Sequence, residues 1–315
     1  MSNVSYIAIS YKCNQRCLYC PCSKEDYLKP FIPIETLKQL ADEMIDIKRA
    51  DRLVLSGGEP TIHPDFLRFL EYLGTKNAAI SILSNGEHFS DQEFFEPFCK
   101  VAAKDQITVT TTIHSHKADQ HENANQKKGS FSRTIQGLQS LLNAGYRVII
   151  KHCITRENHQ DLLEFYRFIN QTFSEQADMQ LCSIDYCGME DDRSILNREK
   201  ITFPEIRTYL EPMFDAYLEN KKQGNQRVLY CMNMPLCAAD PYYWDYFVKK
   251  SVGNYALYAS PDTERVDGSE MEKANVGTFF DACRSCKARP ICPGTYRTAS
   301  VFFGDEMVRS YGEKK

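Results

Sequence analysis

Cys13, Cys17 and Cys20 form a C-x3-C-x2-C run directly after an apolar, strand-like stretch, residues 4–10. Thiolates this close in sequence can wrap one soft metal centre. Structural zinc prefers paired C-x2–4-C knuckles, and nothing local pairs with this run, whereas a [4Fe–4S] cluster normally takes four cysteines. Three close-set ligands would leave one iron open to a molecule that is not protein. Cys22, just beyond, reads as a bystander.

Gly57-Gly58-Glu59-Pro60 follows a second apolar run, residues 52–56. Two glycines let a backbone pass close to a ligand and take conformations that other residues avoid. Pro60 stiffens the exit, and Glu59 offers a carboxylate. Alone this is an ordinary strand-to-helix turn; one strand after the cysteine run it is specific. A third group comes late in the chain, where Cys283, Cys286 and Cys292 give C-x2-C-x5-C with Cys231 and Cys237 upstream. Spacing alone does not separate a zinc ribbon from an iron–sulfur site here.

Other residues carry weaker signals. His114, His116 and His121 lie on or near one polar loop, which reads as one histidine near the chemistry and two in solvent. Free cysteine packs as a small hydrophobe more often than it reacts, which places Cys99 and Cys153 in the core. Asp185 and Tyr186 are candidates for substrate contact, and the aromatic segment 242–247 reads as packing between domains.

The elements that must position these residues alternate. Helical spacing covers residues 34–45, with Pro33 suited to a helix start, and then 66–73, 91–103, 131–144, 162–173 and 204–222. Between them, short apolar runs at 52–56, 79–83, 106–113, 147–154 and 179–186 read as strands that, with 4–10, make six. The polar stretch 115–129 has no apolar period and reads as a mobile loop. Strands alternating with helices imply parallel βαβ units with right-handed crossovers, hence a doubly wound sheet or an incomplete barrel. After Gly224 the texture turns short and turn-rich, so the expected division is a core at 1–224 and a smaller domain at 225–315.

A formal net charge of −4 provides no basic footprint for nucleic acid or an anionic membrane. Thirteen cysteines without a signal-peptide pattern at the N-terminus point to metal ligands in a reducing cytoplasm rather than to disulfides. No apolar run reaches the roughly 18–20 residues of a membrane span.

With the cysteine run and the Gly57–Pro60 turn in place, the sequence resembles the radical S-adenosylmethionine (SAM) enzymes. The resemblance implies a partial (β/α)6 barrel of the TIM type, with Cys13, Cys17 and Cys20 holding a [4Fe–4S] cluster whose open iron is chelated by SAM. It implies Gly57, Gly58, Glu59 and Pro60 as the SAM cradle and Tyr19 beside the adenine. Ser84, Asn85, His114 and Asn158 stand at strand ends where SAM contacts would be. Reductive cleavage of SAM would then yield a 5′-deoxyadenosyl radical that takes a hydrogen atom from the substrate.

The late cysteines resemble the SPASM and twitch extensions of the same family. A SPASM pattern continues with a cysteine where this chain has Tyr296, so the resemblance implies a twitch-like domain with one auxiliary [4Fe–4S] cluster on Cys237, Cys283, Cys286 and Cys292. Such enzymes commonly modify ribosomal peptides, by epimerisation or cross-linking, as in the maturation of ribosomally made peptide natural products. In an epimerase a thiol returns a hydrogen atom, and Cys231, left over from the auxiliary set, is the candidate. Expected partners are the peptide, a separate leader-recognition protein because no such domain precedes Cys13, and a one-electron reductant such as flavodoxin or ferredoxin. The alternatives are radical oxidation of a small molecule or cofactor precursor, and a non-catalytic Fe–S or zinc protein.

Overall fold

The computed structural model describes residues 3–22, 25–189, 192–249, 254–261, 266–267 and 276–312. In chain order its longer elements begin with β1 (Asn3–Ser10), α1 (Ile34–Asp42), β2 (Arg52–Gly57), α2 (Phe66–Leu73), β3 (Ala79–Leu83), α3 (Gln92–Val101) and β4 (Ile107–Thr112). There follow α4 (Ala118–Asn125), α5 (Ser130–Asn143), β5 (Arg147–Ile154), α6 (Leu162–Thr172), β6 (Ala177–Ser183), α7 (Arg193–Glu199) and α8 (Phe203–Lys222). The chain closes with β7 (Leu229–Met232), β8 (Asn254–Ala259), β9 (Val266–Asp267) and α9 (Arg297–Phe302). By packing it divides into two units, one of Met1–Thr112, Asn125–Ile150 and Gly253–Glu272, the other of Ile113–Ala124, Lys151–Val252 and Lys273–Lys315.

In the first unit β1 to β4 pair in parallel and in sequence order. One register row runs Ile7, Leu55, Ile82, Val109 across all four strands, and each of these side chains is fully buried. A row of aliphatic residues at one level fixes the register, because a slip of one residue would send it to the opposite face. The helices bury one stripe each, such as Leu37, Leu40 and Ala41 of α1, or Phe66, Phe69, Leu70 and Leu73 of α2. On the far side of β1 lies β8, also parallel, and β9 pairs antiparallel with β8.

In the second unit β7 runs parallel to β6, with Leu181 opposite Cys231. α8 starts in a reciprocal capping box: Glu205 accepts from the Thr202 amide at 2.9 Å, and the Glu205 amide donates to the Thr202 hydroxyl at 3.3 Å. Phe214 of α8 stacks on Tyr243 with ring centroids 5.2 Å apart, so the aromatic segment packs on this helix. Arg227 is fully buried, and its guanidinium donates to the carbonyl oxygens of Phe173 (3.0 Å), Ser174 (3.1 Å) and Ala177, closing the end of α6.

The architecture is the expected α/β succession of parallel strands and helices. Two details differ. β7 and β8 lie beyond residue 225 and add parallel pairings to the expected six strands. The stretch read as a mobile loop contains α4, whose entry is set by Ser115: its hydroxyl accepts from the Lys117 amide at 3.1 Å and donates to Gln120 at 2.7 Å. Polar side chains rather than an apolar stripe hold that turn, which is why periodicity missed it.

Candidate active site

The cysteine run is shaped by the turn after β2. The amide of Gly58 donates to the carbonyl of Ser10 at 2.6 Å and that of Glu59 to the carbonyl of Lys12 at 2.8 Å. Gly57 has φ +124°, and a Cβ there would lie 2.0 Å from the Ser10 oxygen; one on Gly58 would lie 2.2 Å from the Lys12 oxygen. The glycines are therefore needed for backbone to meet backbone, with the cysteine loop as the neighbour they admit.

Within the loop Cys13, Cys17 and Cys20 are all half-buried. The Gln15 amide donates to the Cys13 sulfur at 3.4 Å, the Cys17 thiol donates to Gln15 Oε1 at 3.6 Å, and Tyr27 donates to the Cys20 sulfur at 3.3 Å. Burial pushes the Cys13 thiol up to about 11. Cys20 is held down to about 6, first by a hydrogen bond from Cys22. Three soft sulfur donors on one partly open loop, Cys13, Cys17 and Cys20, are of the chemistry that suits an iron–sulfur cluster. Among the described residues no three Cys, His, Asp or Glu side chains are gathered to hold a single metal ion.

Glu59 is 1% exposed and saturated by protein. Its Oε1 accepts from the Thr61 amide (3.0 Å), the Thr61 hydroxyl (2.7 Å) and the Ser84 hydroxyl (2.8 Å), and its Oε2 accepts from the Asn85 amide (2.7 Å). Burial pushes its carboxyl above the usual range against those bonds. Asn85 then reaches Asn14 at 2.6 Å, joining the end of β3 to the cysteine loop. Pro60 is buried at the head of a short 3-10 turn, and Tyr19 is half-buried on the loop. The first unit thus gathers Cys13, Cys17, Cys20, Tyr19, Gly57, Gly58, Glu59, Pro60, Ser84 and Asn85 in one connected region.

A support that sequence reading missed is Glu87. Its carboxylate accepts from Gln15 (2.9 Å) and Arg133 (2.7 Å) and pairs with Lys127 at 3.1 Å. Burial pushes Glu87 up, but these partners outweigh it and hold its carboxyl below the usual range. The four residues are scattered from position 15 to position 133, so no local spacing announces them.

His114 and Asn158 belong to the second unit. Asn158 donates to the carbonyl oxygens of His114 and Cys153, both at 2.9 Å, and accepts from the Thr155 amide at 2.8 Å. The His114 amide donates to His121 Nδ1 at 3.2 Å, and burial, with some help from His121, pushes His114 down to about 3. His121 is 2% exposed and His116 half-buried, which corrects their reading as solvated residues. Asp185 accepts from the Thr298 hydroxyl at 2.7 Å.

Cys237, Cys283, Cys286 and Cys292 all line one pocket, with about 380 Å³ of empty space that is partly open to solvent. The amides of Leu236 and Gly294 donate to the Cys292 sulfur at 3.5 and 3.4 Å, and the Tyr311 amide to that of Cys286 at 3.4 Å. Burial pushes Cys237 up to about 12, and the other three thiols add to the shift. Cys231 does not line this pocket; it lies on β7, 1% exposed, and burial alone pushes its thiol up.

Residues 7–169, more than half of the chain, match the family described as the Radical SAM superfamily. Mycofactocin maturase MftC of Mycolicibacterium smegmatis is 27% identical over 158 residues, which is 50% of this chain and 39% of that protein. The match therefore spans about two fifths of the relative's length. Streptococcus suis SuiB bound to S-adenosylmethionine superposes with a TM-score of 0.67 at 13% identity, covering 99% of this chain and 77% of that one. anSMEcpe with bound AdoMet and Cp18Cys peptide gives 0.68 at 14% identity, covering 98% and 92%. At these identities the structural likeness shows the fold, an α/β partial barrel.

Proposed function

The chain belongs to the radical SAM superfamily, and from that membership we propose that it removes a hydrogen atom from a ribosomally made peptide. The observation that carries the radical chemistry is the pinning of the Cys13–Cys20 loop by the Gly57–Pro60 turn inside the matched stretch. When bound there, the [4Fe–4S] cluster and SAM supply one-electron bond cleavage and hydrogen-atom abstraction. The chain's own residues hold and orient them. Cys13, Cys17 and Cys20 are the cluster ligands. Gly57, Gly58, Pro60, Tyr19, Ser84 and Asn85 shape the SAM site. Glu59, with both carboxylate oxygens engaged, acts by holding the ends of β2 and β3 in place.

A peptide substrate is supported by the relatives' names: a mycofactocin maturase, and SuiB, for which one structure contains the precursor peptide SuiA. The functional division is a core at 1–224 and an auxiliary part at 225–315. In the latter Cys237, Cys283, Cys286 and Cys292 line one pocket without being gathered tightly enough to hold a single metal ion, which suits a second [4Fe–4S] cluster better than one tetrahedral zinc ion. Cys231, kept protonated by burial, is a thiol able to return a hydrogen atom in an epimerisation. A leader-recognition protein, a flavodoxin or ferredoxin reductant and a cytoplasmic location complete the proposal; no helix among the described residues is long and apolar enough to cross a membrane.

The test is anaerobic turnover in D2O with SAM, dithionite and a short precursor peptide encoded beside the gene. A peptide gaining one deuterium indicates epimerisation through a thiol, and one losing two hydrogens indicates cross-linking. SAM cleavage with the peptide unchanged overturns the peptide reading and favours a small-molecule substrate.

A further inference from the structure

Two thiols on neighbouring strands have no part in the chemistry above. Cys153 on β5 and Cys182 on β6 bring their sulfurs to 3.2 Å, and β5 and β6 are adjacent in the sheet order. Adjacent strands run about 4.8 Å apart, inside the Cα separation of about 4.4–6.8 Å that a disulfide spans. The pair could therefore be joined without moving either strand far.

The two sulfurs are not equivalent. Cys153 is half-buried, while Cys182 is 2% exposed and also lies 3.8 Å from the carbonyl oxygen of His152. The charged and titratable groups around them are Lys151 on β5, Asp185 just past β6, Cys231 on β7 and Tyr296 at the start of α9. The thiol of Cys182 donates to Cys153, and with Lys151 it holds Cys153 down to about 6 against burial and Asp185; Cys182 is pushed well up in turn. One sulfur is thus held toward the thiolate and its neighbour as a protonated thiol in contact with it, the arrangement of an attacking and a resolving cysteine.

We propose that Cys153 and Cys182 form a redox-active dithiol, a thiol–disulfide exchange site whose reactant is a small disulfide. The Cys153 thiolate attacks one sulfur of the disulfide RS–SR, forming a Cys153–SR mixed disulfide and releasing RS⁻. Cys182 then gives its proton to RS⁻, and its sulfur attacks Cys153, forming the Cys153–Cys182 bond and releasing the second RS⁻. The protein loses two electrons, and the small disulfide gains them as two thiols. The site needs neither the cluster nor SAM, so it stands or falls apart from the proposed function.

The test uses the full chain, handled without oxygen and incubated with glutathione disulfide, then acid-quenched, alkylated and mapped by peptide mass spectrometry. The expected result is a peptide pair cross-linked through Cys153 and Cys182 in the wild-type protein, reversed by dithiothreitol. In Cys182→Ser, which lacks the resolving thiol, a glutathione adduct accumulates on Cys153 instead. Two outcomes overturn the proposal: Cys153 unmodified while other cysteines carry glutathione, or an adduct on Cys153 that persists equally in the wild type and in Cys182→Ser. The wild-type mapping decides the matter even if the variant folds poorly.

Discussion

The amide of Glu59 donates to the carbonyl oxygen of Lys12 at 2.8 Å, so the residue immediately before Cys13 is held by the turn that ends β2. A methyl group on Gly58 would meet that same oxygen at 2.2 Å, and backbone cannot yield as a flexible side chain can. Gly58→Ala is expected to displace the cysteine loop while the remainder of the chain folds. Iron and sulfide counts on anaerobically reconstituted protein should then fall as far as they do in Cys17→Ala, with the circular dichroism spectrum kept.

Glu59→Ala should destabilise the fold itself. It strands the amides of Thr61 and Asn85 and the hydroxyls of Thr61 and Ser84, which all donate to one buried carboxylate. An unsatisfied buried donor costs about 1–3 kcal/mol, and solvent admitted to the gap offsets part of the total, so a loss of roughly 3 kcal/mol is expected. Denaturant midpoints check it, and Glu59→Gln, which keeps acceptor oxygen toward only some of the donors, should fall between.

The legible part of this molecule was what repeats or clusters locally. The cysteine run, the Gly57–Pro60 turn and β1 to β6 each announce themselves within a dozen residues. β7 escaped because four residues, Leu229–Met232, carry too little pattern, and β8 because Asn254–Ala259 lies late in the chain, outside the run of alternating strands and helices. Glu87 with Gln15, Lys127 and Arg133, and Cys153 with Cys182, depend on residues brought together only by the fold. For the late cysteines, spacing alone leaves Cys231 and Cys237, six residues apart, as equal candidates for the fourth place, and in the fold only Cys237 lines the pocket.

That exclusion gives a third prediction. Cys292→Ser should lower iron content toward about four atoms per chain, the complement of one [4Fe–4S] cluster, while Cys231→Ser should leave about eight. Elemental analysis decides, and equal iron loss in both variants would make Cys231 a ligand.

Acid should weaken the fold through His152. Its ring is fully buried against Phe165, with Nδ1 donating to the Ile113 carbonyl at 2.9 Å, and burial pushes it down to about 4. The unfolded chain takes up a proton near pH 6.5 while the folded chain stays neutral. Stability from this group is therefore full above about pH 6.5 and declines as pH falls toward 4, by about 1.4 kcal/mol per unit. Between pH 7 and pH 5 the wild type should lose roughly 2 kcal/mol more than His152→Gln in urea denaturation; equal losses would show that His152 titrates normally.

The central claim is that the loop of Cys13, Cys17 and Cys20, set by the turn at Gly58 and Glu59, supports radical cleavage of SAM. Anaerobic incubation of the reconstituted protein with SAM and dithionite, followed by chromatography, measures it directly. The account predicts 5′-deoxyadenosine from the wild type and none from Cys17→Ala. Iron-replete wild-type protein that forms no 5′-deoxyadenosine under any reducing condition would contradict it.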